Sequence, residues 1–521
     1  MPGTMKTAAA LAVIGLTWLP AYCQGDAAVC PKDPGPPLAA DVKPVESPPA
    51  ALPAPSPDLA IPPNADTVST PGPIETRTVE VTPAPAPEAL KRPITLDEAL
   101  ETAFRHNPDI RAALAGVQKG RGRLREARAR FNPTFNAGVS SVLQGPKTSL
   151  SFGEGDIELV PGTDTTATLS FLLPLDISKR LGHGKDLAKY SLQMDYLSMV
   201  GVSEGVILSV KSAWYNLLRA CGQRSVAQAA VDVSSKRLEN TRSRRKAGTV
   251  AQFDVTAAET ELANLRQQLI SAESRVLVAQ SQLNSAMGVD VSYPTQVVAA
   301  APAVDVRDVE IQQAVQRAYA RRPEVKTAQL AVTAGQASAK LERTALRPSL
   351  NVVGSGLYDP EPAGLSGNRF TWQAGLSLSL PVWDGGVTRA RVDQARADAA
   401  SAREVLERVK LGVAREVRVA ALNLQEAALR TESTAQTVAL AQEALRLANV
   451  RYEAGIAVAV EVTNAESQLT QARFNQVNAA YDYAIALAQL QRAQSDQPEI
   501  TKLQLLAARD AAEASETEEK N

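Results

Sequence analysis

The chain has 521 residues and a net charge of −1 at pH 7, a balance that gives no reason to expect nucleic acid as a partner. Aromatic residues make up only 4% of the chain, which is few for an enzyme core, and long segments rich in Ala, Leu, Gln, Arg and Glu are typical of packed helices. The sequence has no nucleophile set, phosphate loop or cofactor motif, and its two histidines show no ligand spacing. It therefore predicts no enzyme, no cofactor and no metal site.

The chain begins with a segment that has the features of a secretory signal. Within residues 1–25, Lys6 supplies a positive charge and residues 8–19 form an apolar run, which is too short to cross a bilayer comfortably as a helix. Residues 26–92 are rich in Pro and Ala, which predicts a disordered linker. At the other end of the chain, residues 496–521 form an acidic tail.

Between these ends, a stretch of roughly 200 residues occurs twice. The motif HNPD (106–109) opens the first copy, and RRPE (321–324) opens the second. Such a duplication predicts one structural unit that is built twice and set side by side. The predicted units are residues 93–290 and 307–495.

Each unit opens with a helix that leads into a strand. In the first unit, residues 95–131 have a helical period, and Thr95 and Glu98 have the spacing of a capping box. Pro133 ends this helix because proline cannot continue the hydrogen-bond ladder. The corresponding helix of the second unit contains residues 321–324.

After the opening helix of each unit, the spacing of the apolar residues changes to every second residue. Residues 165–175 and 370–380 alternate between apolar and polar side chains, which predicts strands with one apolar and one polar face. Each has an upstream partner, so one β-hairpin is expected within residues 134–175 and another within 349–382. The strands have about the length that a tilted strand needs to cross a hydrocarbon layer. Four strands leave two open edges, which several copies of the chain can close together.

Helical period returns after each hairpin and persists over an unusual length. Residues 185–246 and 387–453 contain no proline, and each run spans about 90 Å as a helix. Apolar residues recur along both runs at the spacing of coiled coils. Each long helix is expected to turn at a glycine, Gly248 or Gly455, and to return as a second helix. Every unit thus carries one long helical hairpin.

These features together resemble the TolC-type outer-membrane efflux proteins over residues 93–495. The resemblance rests on four motifs that occur twice in the same order. They are HNPD and RRPE in the opening helix, FNPTFN and LRPSLN at the start of the first strand, LLPLD and LSLPVWDGG at the end of the second strand, and the tips RRKAGTVAQFDVTAAE and RYEAGIAVAVEVTNAE. It implies a mostly helical protein with a small transmembrane β part. Three chains would form a twelve-stranded α/β-barrel tube, with the β-barrel in the outer membrane and twelve long helices crossing the periplasm.

The resemblance also implies a function. The homotrimer would be a passive exit duct in outer-membrane lipid, serving a tripartite efflux or type I secretion system. A periplasmic adaptor (membrane fusion protein) would connect it to an inner-membrane pump and open its periplasmic tip. The cargo stays open between drugs, metal ions, small toxic molecules and proteins. The alternative is a periplasmic coiled-coil scaffold or adaptor without a channel, which leaves the apolar strands unexplained.

The resemblance places the gate of the duct at the helical tips. Asp254, Tyr452 and Glu461 match gating positions of the family, although Ala457 stands where an arginine is expected and Asn464 replaces a second acid. The acids also suit the first turn of a helix in any protein, so capping and gating stay open alternatives for both. Six tip residues are expected to contact the adaptor: Gly248, Thr249, Val250, Gly455, Ile456 and Ala457.

Overall fold

The computed structural model describes residues 92–143, 145–146, 148–152, 155–160, 163–298, 310–360 and 368–499. The predicted signal lies outside the described residues, as do nearly all of the predicted linker and residues 500–521 of the predicted tail.

The elements of the first repeat are α1 (Leu96–His106), α2 (Pro108–Ala129), β1 (Thr134–Leu143), β2 (Thr148–Phe152), β3 (Gly155–Val160), β4 (Thr163–Leu175), α3 (Arg180–Lys246) and α4 (Gln252–Met287). The elements of the second repeat are α5 (Ile311–Arg321), α6 (Pro323–Arg343), a 3-10 turn (Thr344–Leu346), β5 (Ser349–Tyr358), β6 (Phe370–Ser379), α7 (Val387–Glu453) and α8 (Ala459–Ala493). The protein is therefore mostly helical, with a small antiparallel sheet.

The opening helix of each repeat is broken in two, so the prediction of one helix over residues 95–131 was wrong. Asn107 has extended backbone angles, and its side chain accepts a hydrogen bond from the N–H of Asp109 at 2.8 Å. Pro108 is the first residue of α2, a position that suits proline because no helical N–H is needed there. Pro323 begins α6 in the same way. The capping box that joins Thr95 and Glu98 is confirmed.

The four predicted strands form one antiparallel sheet in the order β1-β4-β5-β6. Residues directly opposite each other share a face, so the register produces apolar and polar rows across the sheet. One apolar row contains Ala137, Leu169, Gly356 and Trp372, and one polar row contains Asn136, Ser170, Ser355 and Gln373. The predicted alternation is thus confirmed. The end strands of the sheet are β1 and β6.

A second pair of strands lies within the first hairpin. β2 and β3 pair antiparallel to each other in a separate small sheet. The prediction of only four strands in the chain was therefore wrong. The apolar and polar alternation in these strands extends over only five or six residues, which is too short to distinguish from a loop by sequence pattern.

Two very long helices form the body of the protein. α3 and α7 each contain 67 residues, which corresponds to a length of about 100 Å. Toward the tips, α4 packs against α3, α3 against α8, and α8 against α7. Nearer the sheet, α2 packs against α3, α3 against α6, and α6 against α7. The helices therefore form one layer with α7 at one edge. At the other edge lies α4 toward the tips and α2 toward the sheet. Among the described residues, no helix is both long and apolar enough to cross a membrane.

The core follows the predicted coiled-coil seams. On α7, Val413, Val417, Ala420 and Leu424 are buried, and on α3 the residues Ile207, Val210, Trp214 and Leu217 are buried. Each set forms the centre of a larger apolar cluster. Burial of these side chains provides most of the energy that holds the helices together.

Candidate functional site at the helical tips

Both helical hairpins end in the same kind of turn. Gly248 and Gly455 have φ angles of 75° and 74°, a left-handed conformation that glycine adopts without a steric penalty. The N–H of Thr249 donates to the carbonyl of Arg244 at 3.0 Å, and the N–H of Ile456 donates to that of Arg451 at 2.9 Å. These bonds satisfy carbonyls that a helix end leaves free.

Asp254 lies in the first turn of α4 at the first tip. Its carboxylate accepts a hydrogen bond from the backbone N–H of Ala251 at 3.1 Å, which is a capping contact at the positive end of a helix. Within the described part of the chain, Asp254 forms no hydrogen bond or ion pair with Tyr452 or Glu461. Capping is therefore the contact that Asp254 makes within one chain.

Glu461 lies in the first turn of α8 at the second tip. It accepts a hydrogen bond from the Arg451 guanidinium at 2.5 Å, and the side chains are 54% exposed for Arg451 and 37% exposed for Glu461. An ion pair this exposed is worth about 0.2–1 kcal/mol. Sequence reasoning missed Arg451 as the partner, although Arg244 and Arg451 occupy equivalent positions in the two tip motifs.

Tyr452 joins the two tips. The guanidinium of Arg244, at the end of α3, lies 5.2 Å from the centroid of the Tyr452 ring, within the range of a cation–π contact. The ring is half-buried and packs against a small apolar cluster that includes Ala448 and Val462. The structure thus brings Tyr452 and Glu461 to one tip and connects that tip to α3.

Arg237 forms a second link between the hairpins. It donates to the Glu466 carboxylate, and its other terminal nitrogen donates to the carbonyl oxygen of Ala459 at 3.1 Å. Both charged side chains are only about a quarter exposed. Burial raises the pKa of the Glu466 carboxyl, and Glu261 adds to that rise while Arg237 opposes it.

Sequence reasoning missed this link too. The sequence feature that could have revealed the link is an acid that both tip motifs carry at the same position, Glu259 in the first and Glu466 in the second. Glu259 pairs with Arg242 inside the first hairpin, whereas Glu466 reaches across to α3. The same position therefore holds one hairpin together in the first copy and joins the two hairpins in the second.

The six adaptor-contact candidates lie at the surface of the tips. Val250 and Ala457 are partly buried, and the other four residues are exposed. Three more apolar residues of the tips are also strongly exposed and were missed: Phe253, Val458 and Val460. Exposed apolar groups that cluster in this way are typical of a protein contact. The described residues contain no group of His, Cys, Asp and Glu that could hold a metal ion.

The chain is similar in sequence to several known bacterial proteins. It is 25% identical to protein CyaE of Bordetella pertussis over 398 residues, which cover 75% of this chain and 82% of that protein. It is 24% identical to outer membrane protein TolC of Escherichia coli over 417 residues, which cover 76% of this chain and 81% of that protein. Its fold is similar to the Campylobacter jejuni CmeC outer membrane channel, with a TM-score of 0.66, 16% identity and coverage of 77% of this chain and 85% of that one.

The family model described as outer membrane efflux protein matches residues 99–289 and 314–494, which together make up more than half of the chain. One matched stretch lies in each copy of the repeat. The chain therefore belongs to the outer membrane efflux protein family, and it is an outer-membrane channel of efflux or secretion systems that extends into the periplasm.

Proposed function

We propose that three copies of this chain form a passive exit duct that a periplasmic adaptor opens at the helical tips and connects to an inner-membrane pump. The proposal includes no catalytic step. The observation that carries it is that one chain leaves apolar surface uncovered on both outer sides of its helical layer, and also on a sheet with two end strands. Surface of this kind needs a partner, and identical copies provide one.

The helical layer supports self-association most directly. Five leucines on α7 are between 48% and 72% exposed: Leu411, Leu422, Leu429, Leu440 and Leu447. Their spacing of 11 or 7 residues places them within about 20° of each other around the helix. On the opposite side of the layer, α4 exposes Ile270, Leu277 and Val278. In this proposal, the leucine stripe of one copy packs against α4 of the next.

The sheet supports the same arrangement. Its apolar face carries Phe135, Val139, Trp372 and Leu376, each at least 66% exposed, and this face would contact lipid. Joining β6 of one copy to β1 of the next removes both edges, because three sheets of four strands then close into one barrel. The strands of this barrel would form the transmembrane part of the duct.

The gate in this proposal consists of contacts at the tips. Arg451 neutralises Glu461, so three copies of Glu461 around one axis repel each other less than free carboxylates would. Arg237 and Arg244 join the hairpins and compensate for the arginine that is replaced by Ala457. Asp254 supports the gate by holding the first turn of α4. The exposed apolar tip residues are where the adaptor would dock, and its binding would compete with these few weak contacts.

The assembly can be tested with charged substitutions in the leucine stripe. Leu429→Arg combined with Leu440→Arg should convert a detergent-solubilised trimer to a monomer in light scattering and abolish pore conductance in planar bilayers, because the stripe would bury uncompensated charge. Gln442→Arg is the matched control, since Gln442 is exposed and lies about 140° around α7 from the stripe.

Two outcomes would contradict the proposal in different ways. If the double variant remains trimeric and conducts, the leucine stripe is not the contact between copies. If the unmodified protein is monomeric and forms no pore, the proposed assembly of three copies into one duct is wrong.

A further inference from the structure

A pocket of about 640 Å³ opens between α2, α3 and α6. Its lining comes from the middle of α2, from the part of α3 that follows the sheet, and from the first half of α6. All of these helices belong to one chain, so the pocket does not depend on contacts between copies. The pocket lies in the part of the helical layer nearer the sheet, away from the tips, and takes no part in the proposed gate.

The lining of the pocket combines apolar and cationic side chains. Val117, Leu192, Leu197 and Leu330 supply an apolar surface, and Tyr196 adds a ring that is 42% exposed. Among the described residues, the lining also contains two cations, Arg121 and Lys326, and no Asp or Glu. A ligand that covers this apolar surface therefore meets positive charge that no lining carboxylate balances.

The two lining cations are free to bind an anion. Arg121 and Lys326 are exposed, and neither forms an ion pair or a side-chain hydrogen bond among the described residues. By contrast, Arg123 on another face of α2 lies 3.7 Å from the carboxylate of Asp195 on α3. On that face of α2 the arginine has an acidic partner, whereas Arg121 on the pocket face has none among the described residues.

More positive charge lies toward the sheet on the same helix faces. Arg128, Lys189 and Lys340 follow the pocket face along α2, α3 and α6, as the helical period of about 100° per residue places them. One acid, Asp186, lies near this face on α3. The excess of cations raises the local concentration of anions.

We propose that this pocket binds an amphiphilic organic anion, with its apolar body on the leucines and its acidic head group between Arg121 and Lys326. A neutral apolar ligand would gain nothing from the two cations, and a small inorganic anion would gain nothing from the apolar lining. Pockets that bind organic ligands have this mixture of mostly apolar lining and few polar groups. The anion comes either from a phospholipid or from a soluble molecule that passes through the duct.

The experiment uses the full-length protein in a neutral detergent and the fluorescent fatty acid 11-(dansylamino)undecanoate. The wild-type protein should bind this probe saturably, and Arg121→Gln combined with Lys326→Gln should weaken the affinity about tenfold, because two exposed charge pairs are lost. The matched control is Arg111→Gln combined with Lys119→Gln, which removes the same charge from exposed residues of α2 that do not line the pocket. It should change the affinity less than about twofold. Circular dichroism melting checks that all variants fold.

Several outcomes decide the proposal. It is overturned if the wild-type protein does not bind the probe, if the pocket variant binds as the wild type does, or if the control loses affinity equally. Equal binding of a dansyl alkylamine cation would overturn it too. Displacement of the probe by nanodiscs that contain phosphatidylglycerol, but not by those of phosphatidylcholine alone, supports the site and assigns it to lipid. Displacement by soluble decanoate but not by the anionic nanodiscs supports it and assigns it to a soluble anion.

Discussion

The link formed by Arg237 gives the sharpest test of the proposed gate. Arg237→Ala removes both its ion pair with Glu466 and its hydrogen bond to the Ala459 carbonyl, so α3 and α8 lose their charged contact near the tip. If this link holds the duct closed, the variant should open more often. Arg242→Ala is the matched control, because Arg242 pairs with Glu259 inside the first hairpin.

The size of the effect follows from the burial of the two pairs. Arg237 and Glu466 are 22% and 23% exposed, whereas Arg242 and Glu259 are 56% and 45% exposed. A hydrogen bond to a partly buried charged group contributes about 1.5–3 kcal/mol, and an exposed pair contributes about 0.2–1 kcal/mol. Removal of the link should therefore favour the open state by a factor of about 10 to 150 per chain, and removal of the exposed pair by less than about sixfold.

Single-channel recordings in planar bilayers measure this directly. Arg237→Ala should raise the mean conductance or the open fraction of the duct strongly, and Arg242→Ala should leave both close to the wild-type values. Thermal unfolding of both variants shows whether the hairpins stay folded. An Arg237→Ala protein that is folded and conducts as the wild type does would refute the role of this link in closing the duct.

Three further predictions concern stability. In thermal unfolding, Glu204→Gln should stabilise the protein relative to the wild type more at about pH 8 than at about pH 4, because burial raises the pKa of the Glu204 carboxyl above its usual value. Asp482→Asn should lower the free energy of unfolding by about 1 kcal/mol in urea titration, since the carboxylate binds Arg219 on α3 and Arg430 on α7, each at 2.8 Å. Gly455→Ala should cost about 1–2 kcal/mol in the same titration, because its φ is 74°.

The sign of the pH effect comes from ionisation in the folded state. A buried carboxyl with a raised pKa keeps its proton where the unfolded chain has lost it, so stability is lost as the pH rises through the folded pKa. Charged groups around Glu204 also act on its pKa: Glu324 adds to the rise, whereas Arg322 and Arg492 oppose it. Glu404→Gln, an exposed control, should show no such pH dependence. An equal response of both variants would exclude burial of Glu204 as the cause.

The other two stability predictions have their own tests. For Asp482, unchanged unfolding of the asparagine variant would mean that the two arginines pair equally well with water. For Gly455, an added Cβ meets no atom within 4 Å, whereas at Gly288 it would lie 2.6 Å from the Asn107 Cα at a φ of 74°. Gly288→Ala should therefore cost more than Gly455→Ala, and the reverse order would contradict the strain argument.

Much of the fold was predictable because its signals are local. The alternation of residues 165–175 and 370–380, the proline-free helical runs and the glycines at 248 and 455 each depend on neighbours within a few turns. The capping box at Thr95 is local as well. The break at Asn107 and the strands β2 and β3 were missed because their signals cover only a few residues and compete with stronger patterns beside them.

The sequence by itself determined that one unit is built twice, that each copy changes from helix to hairpin to long helix, and where the tips lie. Only the tertiary structure decided which charges meet across those tips. Arg237 and Glu466 are 229 residues apart in sequence, and no local pattern in either segment predicts that the two residues are in contact. Long side chains find partners according to how distant helices pack, so Glu259 and Glu466 hold different elements together although they occupy equivalent positions of the repeat.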